Sequence, residues 1–359
     1  MTVLIFLLVL SVLVLAHEWG HFITARRAGA KVEEFGFGFP PRLFSWTKNG
    51  TVFSLNLIPF GGFVRVFGET GEHNTEPGSF SYLKIGERAK IVAAGVAMNI
   101  ILAYALLSVI NLIGKPDIVD ESNQALATNI QIQILDVSPN SPASEAGVKS
   151  GDAILSAKIN GQAETFADIP DFKNFVDKAR GQLVEIKLKR GREILDVSLY
   201  TRVNPPEGEG ALGVSLARVG FIKSPWYIFW WQGLKDTLTL IGLTASSLFL
   251  FFKTLIFTGH LMGEVTGPIG IANLTGQAYQ LGWAYLINLT ALLSINLAIL
   301  NILPFPALDG GRLILLGIEK IKGSPVNRKW ENAINGIGFA LLLALMILVT
   351  WQDLAKLFK

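Results

Sequence analysis

There is no cysteine among the 359 residues, so neither a disulfide framework nor a thiolate metal site can form, and any transition metal must be held by nitrogen and oxygen. Histidine nitrogen is scarce too: the four histidines are His17, His21, His73 and His260. Charge is limited to 16% of residues with a net of +3, too little and too dispersed to argue for a nucleic-acid partner. Apolar residues fill the space: 50% of the chain is hydrophobic and its mean hydropathy is +0.44. Those values belong to an integral membrane protein carrying some polar mass.

Four stretches are long and uncharged enough to cross a bilayer, for which a helix needs about 20 apolar residues. They run from Met1 to about Ala25, from Ile91 to Ile113, from near Trp283 within the uncharged run Val265–Leu308, and from Asn332 to Trp351. The first is expected to be a retained span and not a secretory signal, because no basic residue precedes its apolar core and that core continues past Ala16. Lysines and arginines set the orientation. Nine lie between Arg26 and Lys90 and five between Arg312 and Lys329, so both loops are expected in the cytoplasm, with both termini and residues 114–224 outside. Residues 224–259 resist this scheme. Their uncharged core, Thr237–Phe252, has only 16 residues and starts beside Lys235 and Asp236, so residues 225–282 are read as amphipathic helices in the outer interface. A fifth crossing there would put Asp309 on the opposite face from His17.

The first span ends in "HEWGH", residues 17–21. Positions four apart on a helix differ by about 40° around its axis, so the imidazoles of His17 and His21 can reach one ion. Glu18 is then placed to take a proton from water at that ion, which makes this the H-E-x-x-H pattern of two zinc ligands and a general base. Solvation of a helix end is the plainer alternative, but ionisable side chains inside an apolar span are costly and mark function. A catalytic zinc takes three protein ligands and keeps one open position. The longer soluble pattern fails because Thr24 stands where it needs glycine. Glu33 and Glu34 follow closely, and spacing leaves them open. Asp309, in "NILPFPALDGG", is the better candidate: a lone carboxylate among prolines and glycines needs a cation, and the orientation puts it on the side of His17. Two histidines and a carboxylate suit zinc. His73, in the polar run "GETGEHNTEPGS", and His260 lack a partner at ligand spacing and are expected at a surface or interface.

Together "HEWGH" at 17–21, "IPFGGFVRVFGE" at 58–69, "AGVAMN" at 94–99, "GPIGIA" at 267–272 and "NILPFPALDGG" at 301–311 resemble the site-2 protease family of intramembrane zinc metalloproteases, in its bacterial RseP/RasP-like branch. The resemblance covers nearly the whole chain. It implies that His17, His21 and Asp309 bind one Zn2+ per chain and that Glu18 activates water. It further implies that Asn301 helps hold the substrate backbone, where the plainer role is packing between helices. Val52–Val66, with alternating apolar residues and a Gly61-Gly62 turn, resembles the family's membrane-associated β-hairpin, whose edge could bind an extended peptide. Val96 departs from the proline often found there. The implied substrates are single-span membrane proteins, such as anti-sigma factors, and remnant signal peptides. The implied place is the bacterial inner (cytoplasmic) membrane, with the lipid bilayer as partner and the active site towards the cytoplasm.

Residues 114–224 differ from the rest. "IQIQILDVSPNSPASEAGVKSGDAILSAKINGQ" reads as a strand, the short helix Pro142–Ala146 stopped by Gly147, a turn at Ser150–Asp152 and a second strand. A helix is expected over Phe166–Ala179 and a hairpin around Arg190-Gly191. Through "SPASEAGVKSGDAI" the segment resembles a single PDZ domain, a gate or filter for substrate if it does more than stabilise the fold. The expected fold class is a polytopic α-helical membrane protein with four transmembrane helices, a membrane-associated β-hairpin and one inserted extracytoplasmic PDZ domain of α+β type. Residues 1–113 form the first half of the protease core, 114–224 the PDZ domain, 225–282 the interfacial helices, and 283–359 the second half, with the LDG motif in its third span. A non-catalytic scaffold would not need Glu18 beside a ligand. A metal transporter would need polar groups along a pathway, and spans two and four offer no carboxylate or histidine.

Overall fold

The structure, a computed structural model, describes residues 1–69, 73, 75–259 and 266–357; His260 lies outside them. It divides into two compact units, one of Met1–Ser108, Gly233–Gly276 and Leu289–Lys359, the other of Val109–Gln232 and Gln277–Asn288.

The first unit starts with α1, Thr2–Arg27, whose apolar sequence is unbroken by glycine until Gly20 and which ends with Arg26 and Arg27 in its last turn. Basic side chains there complement the helix dipole. Next come β1 (Val32–Lys48) and β2 (Thr51–Val66), joined at Asn49-Gly50, where both residues have positive φ. Each strand bends, so the pair forms four antiparallel arms. The arm 32–37 lies in the middle: Phe35 pairs with Val64 on one side and Phe53 on the other, while Trp46 pairs with Phe53 beyond. The hairpin expected across Val52–Val66 is thus corrected. Its arms never pair with each other, because Val32–Phe37 offers backbone groups to both, and Gly62 pairs with Phe37 instead of turning. Alternate side chains of that middle arm are buried. Phe35 and Phe53 meet the Phe22 ring of α1 edge to face with centroids 5.4 and 5.8 Å away, which seats the sheet on the helix that carries the histidines.

α2 (Ile85–Ile113) packs against α1 so closely that a side chain at Gly20 would lie 2.7 Å from the Ala94 carbonyl carbon. In the second unit β3 (Lys115–Ile118), β4 (Ala127–Val137), β5 (Ala153–Ile159), β6 (Gln162–Glu164), β7 (Leu183–Arg190), β8 (Glu193–Tyr200) and β9 (Val214–Ile222) make one antiparallel sheet of order β3-β9-β4-β5-β7-β8, with β6 on β5. In β7 Val184, Ile186 and Leu188 alternate inward. They meet Phe172, Phe175 and Val176 of the second of two helices, α3 (Pro142–Glu145) and α4 (Ile169–Lys178). Asp152, fully buried, accepts two hydrogen bonds of 2.7 Å from Arg190 and one of 2.9 Å from the Lys149 N–H. Those bonds hold the Arg190 pKa above its ordinary value against the opposing effect of partial burial.

Five helices among the described residues, not four, are long and apolar enough to cross a membrane. The addition is α5, Phe229–Thr258, one continuous helix long and apolar enough to cross where one or two interfacial helices are expected. Its Lys235 and Asp236 both have interaction partners, which lowers the cost of their charge. None of its 18 most apolar residues is buried within the protein, and Thr244 Oγ1 donates to Asn296 Oδ1 at 3.3 Å. The 14-residue α6 (Pro268–Leu281) then precedes α7 (Trp283–Ile302). Thr2, at the start of α1, abuts Gly276 of α6. The N–H groups of Gly267 and Gly270 are accepted by Asp353 of α9 (Arg328–Leu357), at 3.2 and 2.8 Å. Asn301, at the end of α7, lines one cavity with His17 and Asp309, so a further apolar helix does not part Asp309 from His17. The LDG motif is not inside a span either. α7 ends at Ile302 and Asp309 heads a separate helix, α8 (Asp309–Lys322), because Pro304 and Pro306 interrupt the helix between them.

Candidate metal centre

His17 and His21 leave α1 on the face turned to α2 and α8. His17 Nε2 lies 3.1 Å from His21 Nε2, and Asp309 Oδ2 lies 3.2 and 3.4 Å from those two atoms. Among the described residues these three form a cluster with metal-binding geometry. Four ligands at about 2.0–2.1 Å around a tetrahedral ion stand about 3.3–3.4 Å apart. The observed triangle has that size. The tautomers point the same way. His21 Nδ1 is 2.8 Å from the Ile91 carbonyl oxygen, which can only accept, so the proton is on Nδ1 and Nε2 offers a lone pair. That lone pair faces a carboxylate oxygen which is buried without a hydrogen-bond partner. Either a proton on an imidazole or a metal cation relieves such a meeting of acceptors, and a triangle of this size suits the metal.

The local backbone explains how Asp309 reaches the site. Between α7 and α8 the chain folds back on itself, Ala307 takes φ +71°, and the Ala307 N–H is accepted by Asn335 Oδ1 at 3.2 Å. A side chain at Gly310 would strike the Ile302 and Leu303 carbonyls, and one at Gly311 would lie 2.8 Å from the Phe305 carbonyl carbon. Only glycine lets the two segments approach this closely. The paired glycines after Asp309 are a packing requirement of the reversal.

A cavity of about 380 Å³ opens on the cluster, lined by Glu18, Gly62 and Asn301 together with the three cluster residues. Gly62, in the edge arm 62–66, sits on α1: a side chain there would be 3.3 Å from Glu18 Cγ and 3.3 Å from Val14 Cγ1. Gly61 does not line the cavity; it has φ +107° and faces the Phe39 ring. Glu34 is excluded as a ligand, since its carboxylate meets Arg42 at 2.5 Å and Arg65 at 3.5 Å. His73 is at the surface, 2.6 Å from Glu76.

Sequence reasoning missed the contribution of α2. A side chain at Gly95 would fall on His21 Nε2 and lie 2.6 Å from His17 Cε1, so both rings rest on bare helix backbone. Asn99 lies 3.4 Å from His17 Nδ1. Both belong to "AGVAMN", a visible motif whose spacing says nothing of which helix it will meet. Arg312, one turn into α8, pairs with Glu69 at the rim of the same cavity.

The chain matches peptidase family M50 over residues 5–345. It is similar to a chain of Clostridium perfringens that bears a zinc-metalloprotease name, with 36% identity over 99% of this chain and 98% of that one. It is 31% identical to the zinc metalloprotease RasP of Oceanobacillus iheyensis, over 99% of both chains. Identity to the regulator of sigma-W protease RasP of Bacillus subtilis is 30%, again over 99% of both.

Proposed function

Because the chain belongs to peptidase family M50, the site-2 proteases, we propose that His17, His21 and Asp309 hold its zinc, one ion per chain, and that Glu18 is its general base. It is a zinc metalloprotease in a multi-pass membrane protein. The observation that carries the assignment is the triangle of three lone-pair donors, 3.1–3.4 Å on a side, with Glu18 on the cavity they share.

Zinc, when bound, supplies Lewis acidity towards the scissile carbonyl and acidifies water at the site. Glu18 takes the proton of the attacking water and returns it to the leaving amine. A transmembrane helix hides its carbonyls in its own hydrogen bonds, so the substrate must be held extended. The arm 62–66 pairs on one side only, with 32–37, and offers its other edge beside Glu18 for strand addition. Asn301, on the cavity wall at the end of α7, holds the substrate backbone across from that edge. Gly62 contributes by its lack of a side chain, and Gly61 by letting the strand turn towards the site.

The substrates we propose are single-span membrane proteins, including membrane anti-sigma factors, as the sigma-W name of the Bacillus subtilis relative suggests, and remnant signal peptides. The setting is the bacterial inner membrane with the metal centre towards the cytoplasm, supported by the basic residues of α8 and of the segments between α1 and α2. The sheet unit of residues 114–224 is read as a single extracytoplasmic PDZ domain that filters substrates; its antiparallel sheet with α4 packed on it supports that reading.

Glu18→Gln in detergent-purified protein is expected to abolish cleavage of a model single-span substrate while one zinc per chain remains. Asp309→Ala is expected to lose both. Appreciable turnover by the first, or zinc retained by the second, would overturn the respective role.

A further inference from the structure

The two histidines are supported differently. The His21 Nδ1 proton goes to a backbone carbonyl that can act only as acceptor. His17 has no such carbonyl given to it; the group opposite its Nδ1 is the Asn99 side chain, a fully buried amide. An amide can present either a donor or an acceptor, and the hydrogen-bond network around it decides which. The Asn99 oxygen is buried without a partner, while its nitrogen faces His17 Nδ1 at 3.4 Å. With a metal on Nε2, the neutral imidazole carries its proton on Nδ1, and that arrangement would set two donors against each other.

We propose that Asn99 is a positioning residue of the metal centre: it turns its amide oxygen to His17, accepts the Nδ1 proton, and so fixes the tautomer and ring plane that present Nε2 to zinc. This rests on the assignment of His17, His21 and Asp309 as the ligand set. The oxygen, otherwise without a partner, then gains a donor, and the α2 backbone that carries the residue is anchored to α7, since Ser294 Oγ donates to the main-chain carbonyl of Asn99 at 2.8 Å. α2 thereby serves both ligands, through Ile91 and Asn99, two turns apart on the helix that runs antiparallel to α1. The weakening expected on losing such a partner is about 10- to 100-fold in metal affinity.

The test is chelator-competition titration of zinc on the full-length, detergent-purified protein, comparing the wild type with Asn99→Leu and Asn99→Asp. Leucine keeps the volume and has no acceptor; aspartate keeps the shape and can only accept. Asn99→Leu is expected to bind zinc about 10- to 100-fold more weakly and Asn99→Asp at least as tightly as the wild type. A merely structural role would not separate the two variants in this way. Wild-type affinity in Asn99→Leu overturns the inference, as does an equal loss in both variants; if the leucine protein fails to fold, Asn99→Ala takes its place in the same comparison. Absence of zinc from the wild type would instead overturn the ligand assignment, which Asp309→Ala in the same titration checks separately.

Discussion

Gly95→Ala is the smallest change that reaches both histidines at once. The added methyl would lie 2.6 Å from His17 Cε1 and 2.7 Å from His21 Cε1. Carbon atoms are comfortable at about 3.5–4.0 Å, so each ring must withdraw by about 1 Å. A metal site tolerates departures of about 0.2 Å. Overpacking of this kind costs about 1–3 kcal/mol, and since the strain is released by letting the ligands part, zinc affinity should fall by about five- to 150-fold. Loss of folding is not the expected cause, because alanine is favoured over glycine inside a helix by about 1 kcal/mol. Gly86→Ala is the control: it lies in the same helix, with no heavy atom within 4 Å of the added carbon. Chelator competition on both variants, with thermal unfolding of the metal-free proteins alongside, separates the effects. Zinc bound by Gly95→Ala within twofold of the wild type would refute the claim that α2 seats the ligands.

Two further outcomes follow from single contacts. Gly62→Val puts methyl groups against Glu18 and Val14, so cleavage should fall at least tenfold with zinc content unchanged; wild-type turnover would show that the edge strand does not border the reacting groups. Asp152→Ala removes the partner of Arg190 and the acceptor of the Lys149 N–H, at a cost of about 1.5–3 kcal/mol, and should weaken hydrogen-exchange protection in β5 and β7 of the full chain while α1 is unaffected. Unchanged protection there would mean that the buried pair is not what holds these strands.

The parts of the site legible in the sequence were those encoded locally or by exclusion. His17, Glu18 and His21 stand on one helix with a fixed period, and Asp309 stood out as a charge where charge is costly. Asn99, Gly95 and the Ile91 carbonyl were not legible, since their roles exist only once α2 lies across α1; a backbone oxygen leaves no mark in a sequence at all. The sheet is half legible. β2 alternates visibly, but its partner 32–37 holds Glu33, Glu34 and Gly36, and the burial of Glu34 is bought with two arginines from other arms. The length of α5 is masked in the sequence by Lys235 and Asp236, which cut its uncharged core to 16 residues, whereas in the structure both are engaged and the helix runs on through them.

The metal triangle joins residues far apart in synthesis: 288 positions separate His21 from Asp309 (309 − 21). At about 5–20 residues per second, a ribosome needs about 15–60 seconds to cover that interval. Throughout it the nascent chain holds two histidines and the base but not the carboxylate, while Ile91 and Asn99 arrive early enough to receive the imidazole protons. With Asp309 as the third ligand, the order of the chain would keep the protease inactive until its second half is made. The proposed ligand set can assemble only after α8 is made, so a product truncated before Asp309 would lack its carboxylate.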